Sequence, residues 1–400
     1  MTDLKELCLR LDTLVVFRGL YDVPEFAALR DVIRYAENGD GRRAFERYCS
    51  VVPTIYENGG SLTRLVQRLV LEDENFYILR KGENRETGAF ADECLANELY
   101  ALQELACLPF DELSAHFDYK GFIPRYTTEP VDLSQDYALR IKSIGKFGYG
   151  IYSKYHVFVV KDGEIVPVEY PDSVKLSELS GYQRERGEVI ANTMALLKGR
   201  PANNVLLYGD CGTGKSSTVK AIANEYRSEG LRLIELKKRQ LHEIPNIVRT
   251  ISRNPLKFIV FIDDLSFTED DDDFAALKAI LEGSVSSTAD NLVIYATSNR
   301  RHLVRETFSA REGDEIHRND TMQELLSLSE RFGLRVVFSK PDKALYLSVV
   351  RDIAAQYGID KPEEELFREA EAYALARGGR SPRAAKQFVE YLKGAADIGE

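Results

Sequence analysis

The chain has 400 residues, enough for two or three domains at the usual ~150 residues each, every one able to bury a core. Its 53 Lys and Arg against 64 Asp and Glu leave a net charge of −11, which excludes a surface that coats nucleic acid throughout and leaves room only for a local basic patch. Hydrophobic residues at 44% and charged residues at 29% exclude wholesale disorder and a membrane-embedded class.

The N-terminal stretch Met1–Phe17 alternates Asp3, Lys5, Glu6, Arg10 and Asp12 with leucines. This is an amphipathic helix without the apolar centre of a signal peptide, so the expected compartment is the cytoplasm. The apolar run Phe258–Ile262 is too short to span a bilayer, and no membrane partner is expected. The cysteines Cys8, Cys49, Cys94, Cys107 and Cys211 are scattered with no Cys-x-x-Cys pair, so neither a disulfide framework nor a zinc site is indicated.

From Asp3 to Phe117 apolar residues recur three or four apart, with breaks at Gly39–Gly41, Asn58–Gly60, Gly82 and Pro109, which predicts an all-helical N-terminal domain over 1–117. Residues 118–150 lose that period and gather Phe122, Pro124, Tyr126, Pro130, Phe147 and Tyr149, a loop-rich connector. Its rings either bind a partner or cover the helical module. Two β-rich runs, Tyr155–Val160 and Ile165–Glu169, flank Asp162-Gly163 and predict a β-hairpin, so that 118–172 forms the connector and hairpin.

After Pro171 the pattern becomes strand, glycine-rich turn, helix and strand: Asn204–Tyr208, Ser216–Ser228 and Leu231–Leu236, the rhythm of a parallel α/β sheet. Further buried strands are expected at Phe258–Ile262, Leu292–Ala296 and Arg335–Phe338, completing an α/β domain over 173–339. Three helical periods, Asp342–Tyr357, Pro362–Ala376 and Ser381–Leu392, form a helical segment over 340–400.

Gly209-Asp210-Cys211-Gly212-Thr213-Gly214-Lys215-Ser216 satisfies G-x-x-x-x-G-K-[ST] between a predicted strand and a predicted helix. Glycines let main-chain amides converge on phosphate oxygens, and the helix N-terminus adds partial positive charge. Lys215 is expected on the β- and γ-phosphates, with Ser217 next in the loop and Ser216 placing its hydroxyl on Mg²⁺, so the expected ligand is Mg-nucleotide. Cys211 lies inside the loop, either as a tolerated small side chain or as a thiol whose oxidation matters.

The strand Phe258–Ile262 ends in Asp263 and Asp264. Asp263 is expected to hold Mg²⁺ through water or Ser216, and Asp264 to polarise the attacking water. Leu292–Ser298 ends in Asn299, a polar side chain that can reach between the γ-phosphate and that water.

Phosphate loop, acidic strand end, polar strand end and C-terminal helices together resemble the AAA+ ATPase superfamily over roughly Leu176–Tyr391. The resemblance implies a P-loop α/β core, a parallel sheet flanked by helices, with a C-terminal three-helix lid, here preceded by a helical domain and a β-hairpin. It sets Leu179–Tyr182 where such proteins hold adenine, with Tyr182 in contact. Ser329–Gly333 looks like the family's arginine-finger segment, so that Arg331 would enter a neighbouring subunit's site. Gly379–Arg383 is similar to the lid arginine motif of the Holliday-junction branch-migration motors, making Arg383 a nucleotide contact. The wording of Pro201–Tyr208, Asp263–Phe267 and Tyr295–His302 looks closer still to a bacterial family of uncharacterised P-loop AAA+ ATPases designated a domain of unknown function.

The chain departs from the superfamily pattern at Asp264, where most active members carry Glu, so slow turnover is expected. No aromatic-hydrophobic-glycine segment of polypeptide-threading rings stands between Lys237 and Lys257. That stretch is basic instead, with Lys237, Lys238, Arg239, Arg249 and Arg253, either a solvated face or a contact for phosphates of a nucleic acid. The leading expectation is an oligomeric ATP-driven remodelling or loading machine with ATP and Mg²⁺ as ligands and an unknown protein or nucleic-acid client. A nucleotide-dependent switch or scaffold with incidental hydrolysis competes with it, and a small-molecule kinase is a third reading.

Overall fold

The computed structural model describes residues 3–265, 277–278, 280–281, 289–299 and 330–397. Ser266 and Phe267, the acidic run Glu269–Asp273, Arg300–His302 and Ser329 lie outside the described residues. The chain divides into two units, Met1–Lys154 and Tyr155–Glu400.

The first unit is helical: α1 (Leu4–Asp12), α2 (Pro24–Glu37), α3 (Gly41–Glu57), α4 (Leu62–Glu72), α5 (Phe76–Gly82), α6 (Ala89–Ala106), α7 (Phe110–Ser114), α8 (Leu133–Lys142) and the single turns α9 (Ile144–Phe147) and α10 (Ile151–Lys154). Pro24 opens α2, where its missing N–H costs nothing. Asp3, Asp40, Ser61, Asn75 and Asp132 each cap a helix with a side-chain oxygen. The buried Glu98 carboxylate accepts the amides of Val15, Val16 and Phe17, satisfying three main-chain donors where the chain turns after α1. Tyr126, Leu133, Tyr137 and Tyr149 enter the same core as α1–α6. Residues 118–154 therefore complete the helical unit through Tyr126, Tyr137 and Tyr149, whereas Phe122 and Phe147 stay exposed.

The second unit carries a seven-stranded sheet in the order β2-β1-β4-β5-β6-β3-β7. Its strands are β1 (Val157–Lys161), β2 (Glu164–Pro167), β3 (Val205–Gly209), β4 (Leu231–Leu236), β5 (Lys257–Ile262), β6 (Leu292–Ser298) and β7 (Leu334–Phe338). The pair β1–β2 is antiparallel and every other neighbouring pair is parallel. The hairpin that the sequence sets before the α/β domain is thus an edge of its sheet: β1 lies along β4, with Val157 opposite Leu233. Fully buried strands read as continuous apolar runs, as in β5, because helices cover both faces of a parallel sheet.

Helices α11 (Gln183–Leu197), α12 (Lys215–Glu225) and α13 (Ile244–Ile251) accompany these strands, and α14 (Lys343–Gln356), α15 (Glu363–Ala376) and α16 (Pro382–Asp397) close the chain as a three-helix group with its own core around Tyr346, Val350, Ala370 and Phe388. Asn203 and Asn204 tie α11 and β6 to the segment that leads into β3. The Asn203 amide donates to Asn192 Oδ1 on α11, and Asn204 Oδ1 accepts the Ile294 amide of β6. Gly333 packs so closely on Asn203 that a Cβ would sit 2.3 Å from its Oδ1, which requires glycine after Phe332.

Candidate functional site

The phosphate-loop sequence folds as a loop between β3 and α12. Gly209 has φ +132° and a Cβ there would lie 2.2 Å from the Phe338 carbonyl oxygen, so only glycine lets β3 turn beside β7. Gly214, at φ +92°, caps the start of α12, whose first amides have no partner within the helix. Lys215 is 5% exposed, and its ammonium donates to the carbonyls of Gly209 at 3.0 Å and Asp210 at 2.7 Å. Burial pushes its pKa below the ordinary lysine value of 10.5.

The two strand ends meet this loop. Ser216 Oγ donates to Asp263 Oδ1 at 2.6 Å, joining the start of α12 to the end of β5. Asn299 Nδ2 donates to Asp264 Oδ1 at 2.7 Å. Asp264 stands in the left-handed region at φ +54°, a conformation that aspartate tolerates better than most residues.

A cleft of about 850 Å³ opens over these groups. Its floor is Cys211, Gly212, Thr213, Gly214, Lys215, Ser216 and Ser217, and Asp263, Asp264, Thr297 and Asn299 form one side. Val174, Leu179, Val349 and Ile353 make the opposite wall apolar, and three cations, Arg186, Arg383 and Lys386, face the same space. The lid touches the loop directly: the Arg383 amide donates to the Gly212 carbonyl at 3.1 Å. Amides at a helix start, buried lysine and lid cations suit a polyanion, and the apolar wall suits the face of a base.

Gly209, Asp210 and Tyr182 stand behind the cleft, not on its wall. The Asp210 carboxylate turns to the joint between sheet and lid, where its Oδ2 accepts the Lys340 amide at 2.8 Å. Tyr182 is buried against Phe338, and its hydroxyl donates to the Ser339 carbonyl at 2.6 Å. These two residues thus grip one joint from the phosphate side and from the loop before α11. The Tyr182 ring belongs to the core that the sheet forms with its helices. Arg331, half-buried just before β7, is not on the cleft wall.

Several wall residues escape a motif reading. Arg186 is 8% exposed and donates to the Leu179 carbonyl at 2.6 Å, fastening the apolar loop to α11, and burial lowers its pKa. Gln356 on α14 donates to the Ser177 carbonyl at 3.4 Å, and Val349, Ile353 and Gln356 recur at helical spacing on one face of that helix. Lys386 follows Arg383 by one turn of α16, and Thr297 precedes Asn299 by two along one face of a strand. Those periodicities are the signal that would have found them.

Over 113 residues the chain is 34% identical to the 26S proteasome regulatory subunit 6B homolog of Schizosaccharomyces pombe, covering 25% of this chain and 29% of that protein. Over 111 residues it is 31% identical to the replication factor C large subunit of Aeropyrum pernix, covering 26% of this chain and 23% of that one. The chain thus spans less than a third of the length of these curated relatives, at most 29%. Among solved structures, the Thermotoga maritima RuvB Holliday junction branch migration motor is similar at a TM-score of 0.39 and 15% identity, covering 56% of this chain and 66% of that one. Residues 153–396, more than half of the chain, match the family described as "Protein of unknown function (DUF815)", and the chain belongs to this family.

Proposed function

We propose that the second unit binds Mg-ATP in this cleft and hydrolyses it. The observation that carries the reading is the 2.6 Å contact of Ser216 with Asp263, which brings phosphate loop and acidic strand end to one point. Hydroxyl and carboxylate oxygens are the hard ligands that magnesium takes, with water and phosphate oxygens filling its other positions. No group of three or more His, Cys, Asp or Glu able to hold a metal occurs among the described residues, and a magnesium ion shared with phosphates needs none. Held by Ser216 and Asp263, the ion would neutralise charge on the phosphate oxygens.

Lys215 exchanges the carbonyls of Gly209 and Asp210 for the β- and γ-phosphates, a short move because those carbonyls border the same loop. Asp264 accepts a proton from a water whose oxygen bonds to the γ-phosphorus, the bond to the β–γ bridging oxygen breaks, and ADP and phosphate leave. Asn299 orients that water from its place beside Asp264. Arg383 and Lys386 meet the polyphosphate from the lid, and Arg331 serves the cleft of a neighbouring copy in a homo-oligomer. The helical unit 1–154 recruits a client, so that the whole is a slow cytoplasmic remodelling or loading machine.

Asp264→Asn tests the assignment: ATP affinity by calorimetry with Mg²⁺ stays within about 3-fold of wild type while phosphate release falls by about 100-fold or more. Equal phosphate release by the two proteins would refute it. One observation favours a second reading, a nucleotide-dependent switch: Asp264 is shorter than glutamate and its Oδ1 is already engaged by Asn299. Under that reading wild-type phosphate release lies far below the ~10 per second typical of enzymes, and ATP alone changes what the protein binds.

A further inference from the structure

One hydroxyl ties together both acidic residues of the site, through the carboxylate of Asp263 and the main-chain amide of Asp264. Thr297 is 2% exposed, at the end of β6. Its Oγ1 donates to Asp263 Oδ1 at 2.6 Å and accepts the Asp264 amide at 2.9 Å. Its own carbonyl accepts the Leu265 amide at 2.7 Å, so the turn 263–265 is laid along β6 at three points around one residue. We infer that Thr297 is a positioning residue of the site: its hydroxyl fixes which oxygen Asp263 presents to a metal and holds Asp264 in the left-handed turn that aims its carboxylate.

Asp263 Oδ1 has two donors, Ser216 Oγ and Thr297 Oγ1. A metal that takes the Ser216 hydroxyl leaves Thr297 as the donor that still orients the carboxylate. A threonine hydroxyl has one proton to give and lone pairs to accept, so it donates to Asp263 and receives from the Asp264 amide at once. Valine has the same shape and can do neither. It would leave the Asp264 amide without that acceptor at a position, φ +54°, that few side chains adopt unaided.

The inference rests on the reading of the cleft as a Mg-ATP site, and the test separates the two. Thr297→Val is expected to lower kcat by about 10- to 100-fold with KM for ATP within about 3-fold, and to raise the Mg²⁺ concentration for half-maximal rate. Thr297→Ser restores kcat to within about 3-fold, with all three proteins folded at the assay temperature. A Thr297→Val protein with wild-type kcat and Mg²⁺ dependence overturns the inference, as does a Thr297→Ser protein no better than the valine variant. A wild-type protein that binds Mg-ATP and releases no phosphate overturns the hydrolysis reading instead. The inference is then decided by calorimetry of ATP binding against Mg²⁺, and an unchanged Mg²⁺ dependence in Thr297→Val overturns it.

Discussion

The two ends of the cleft are built in different ways. At the phosphate end one short stretch of chain makes almost everything: Gly209 turns beside Phe338, Thr213 Oγ1 returns to the Asp210 carbonyl at 2.8 Å, and Lys215 folds back on Gly209 and Asp210. At the apolar end Val174 and Leu179 line the cleft together with Val349 and Ile353, which follow them by more than 150 residues in the sequence. The first end is fixed by local backbone geometry. The second exists only once the lid has packed against the segment before α11. It follows that substitutions at the phosphate end should act on the ligand's charge directly, whereas those at the apolar end should act through the seating of the lid.

The largest effect expected from this contrast is that of Lys215→Ala. Removing the ammonium deletes charge-assisted hydrogen bonds to two phosphates, together worth ~3 kcal/mol, so the ATP dissociation constant should rise about 100-fold with the fold intact. Burial already holds the Lys215 pKa low without a ligand, and a polyanion compensates that desolvation. Calorimetry in Mg²⁺ reads the change, and an unaltered constant would remove the phosphate end from the site altogether.

Gly181→Ala sharpens the other half of the comparison. Gly181 has φ +70°, and a Cβ there would stand 3.0 Å from Val349 Cγ2 and 3.1 Å from Leu345 Cδ1 on α14. Alanine therefore meets both backbone strain of about 1 kcal/mol and a lid helix with little room to give. The expected result is a lower unfolding midpoint and an ATP affinity weakened about 5-fold, with the Mg²⁺ dependence of binding unchanged. A shift in Mg²⁺ dependence would show that the apolar end reaches the acidic residues and would undo the division drawn above.

The same division explains what could be read from the sequence. Gly209–Ser216, Asp263, Asp264 and Asn299 stand at strand ends with a spacing that local rules decode, and the structure brings them within hydrogen-bonding reach of one another. The expected strands reappear within one or two residues, because buried parallel strands are apolar runs bounded by polar residues. Contacts between distant segments were not legible. Nothing local states that Val157 lies opposite Leu233, so the hairpin read as a preface to the sheet and not as its edge. Nor does a loop motif state that the Asp210 carboxylate accepts the Lys340 amide while the Tyr182 hydroxyl reaches the Ser339 carbonyl. Arg186 carried no motif, since its partner is a main-chain carbonyl that any residue at position 179 supplies.

The smallest predicted effect concerns how the apolar end is anchored to the sheet. His156, at the start of β1, has Nε2 2.9 Å from Asn224 Oδ1, and Asn224 Nδ2 donates to the carbonyls of Asp172 and Val174, both at 2.8 Å. Val174 lines the cleft, so a chain of side-chain bonds runs from the sheet edge to the apolar wall. Burial pushes the His156 pKa below 6.5 in spite of the bond to Asn224. In the unfolded chain the imidazole protonates near its ordinary value, so between the folded and unfolded pKa values the unfolded state binds more protons. Stability contributed by neutral His156 is therefore complete above about pH 7 and is lost as pH falls from ~6.5 toward the folded pKa, levelling off below it. A His156→Gln variant keeps a donor for Asn224 and cannot titrate. Its unfolding midpoint should fall by a degree or two less than that of wild type between about pH 7.5 and 5.5. Equal falls in the two proteins would mean that this histidine is solvated beside β1 and that the anchor to Val174 is not held by a half-buried neutral ring.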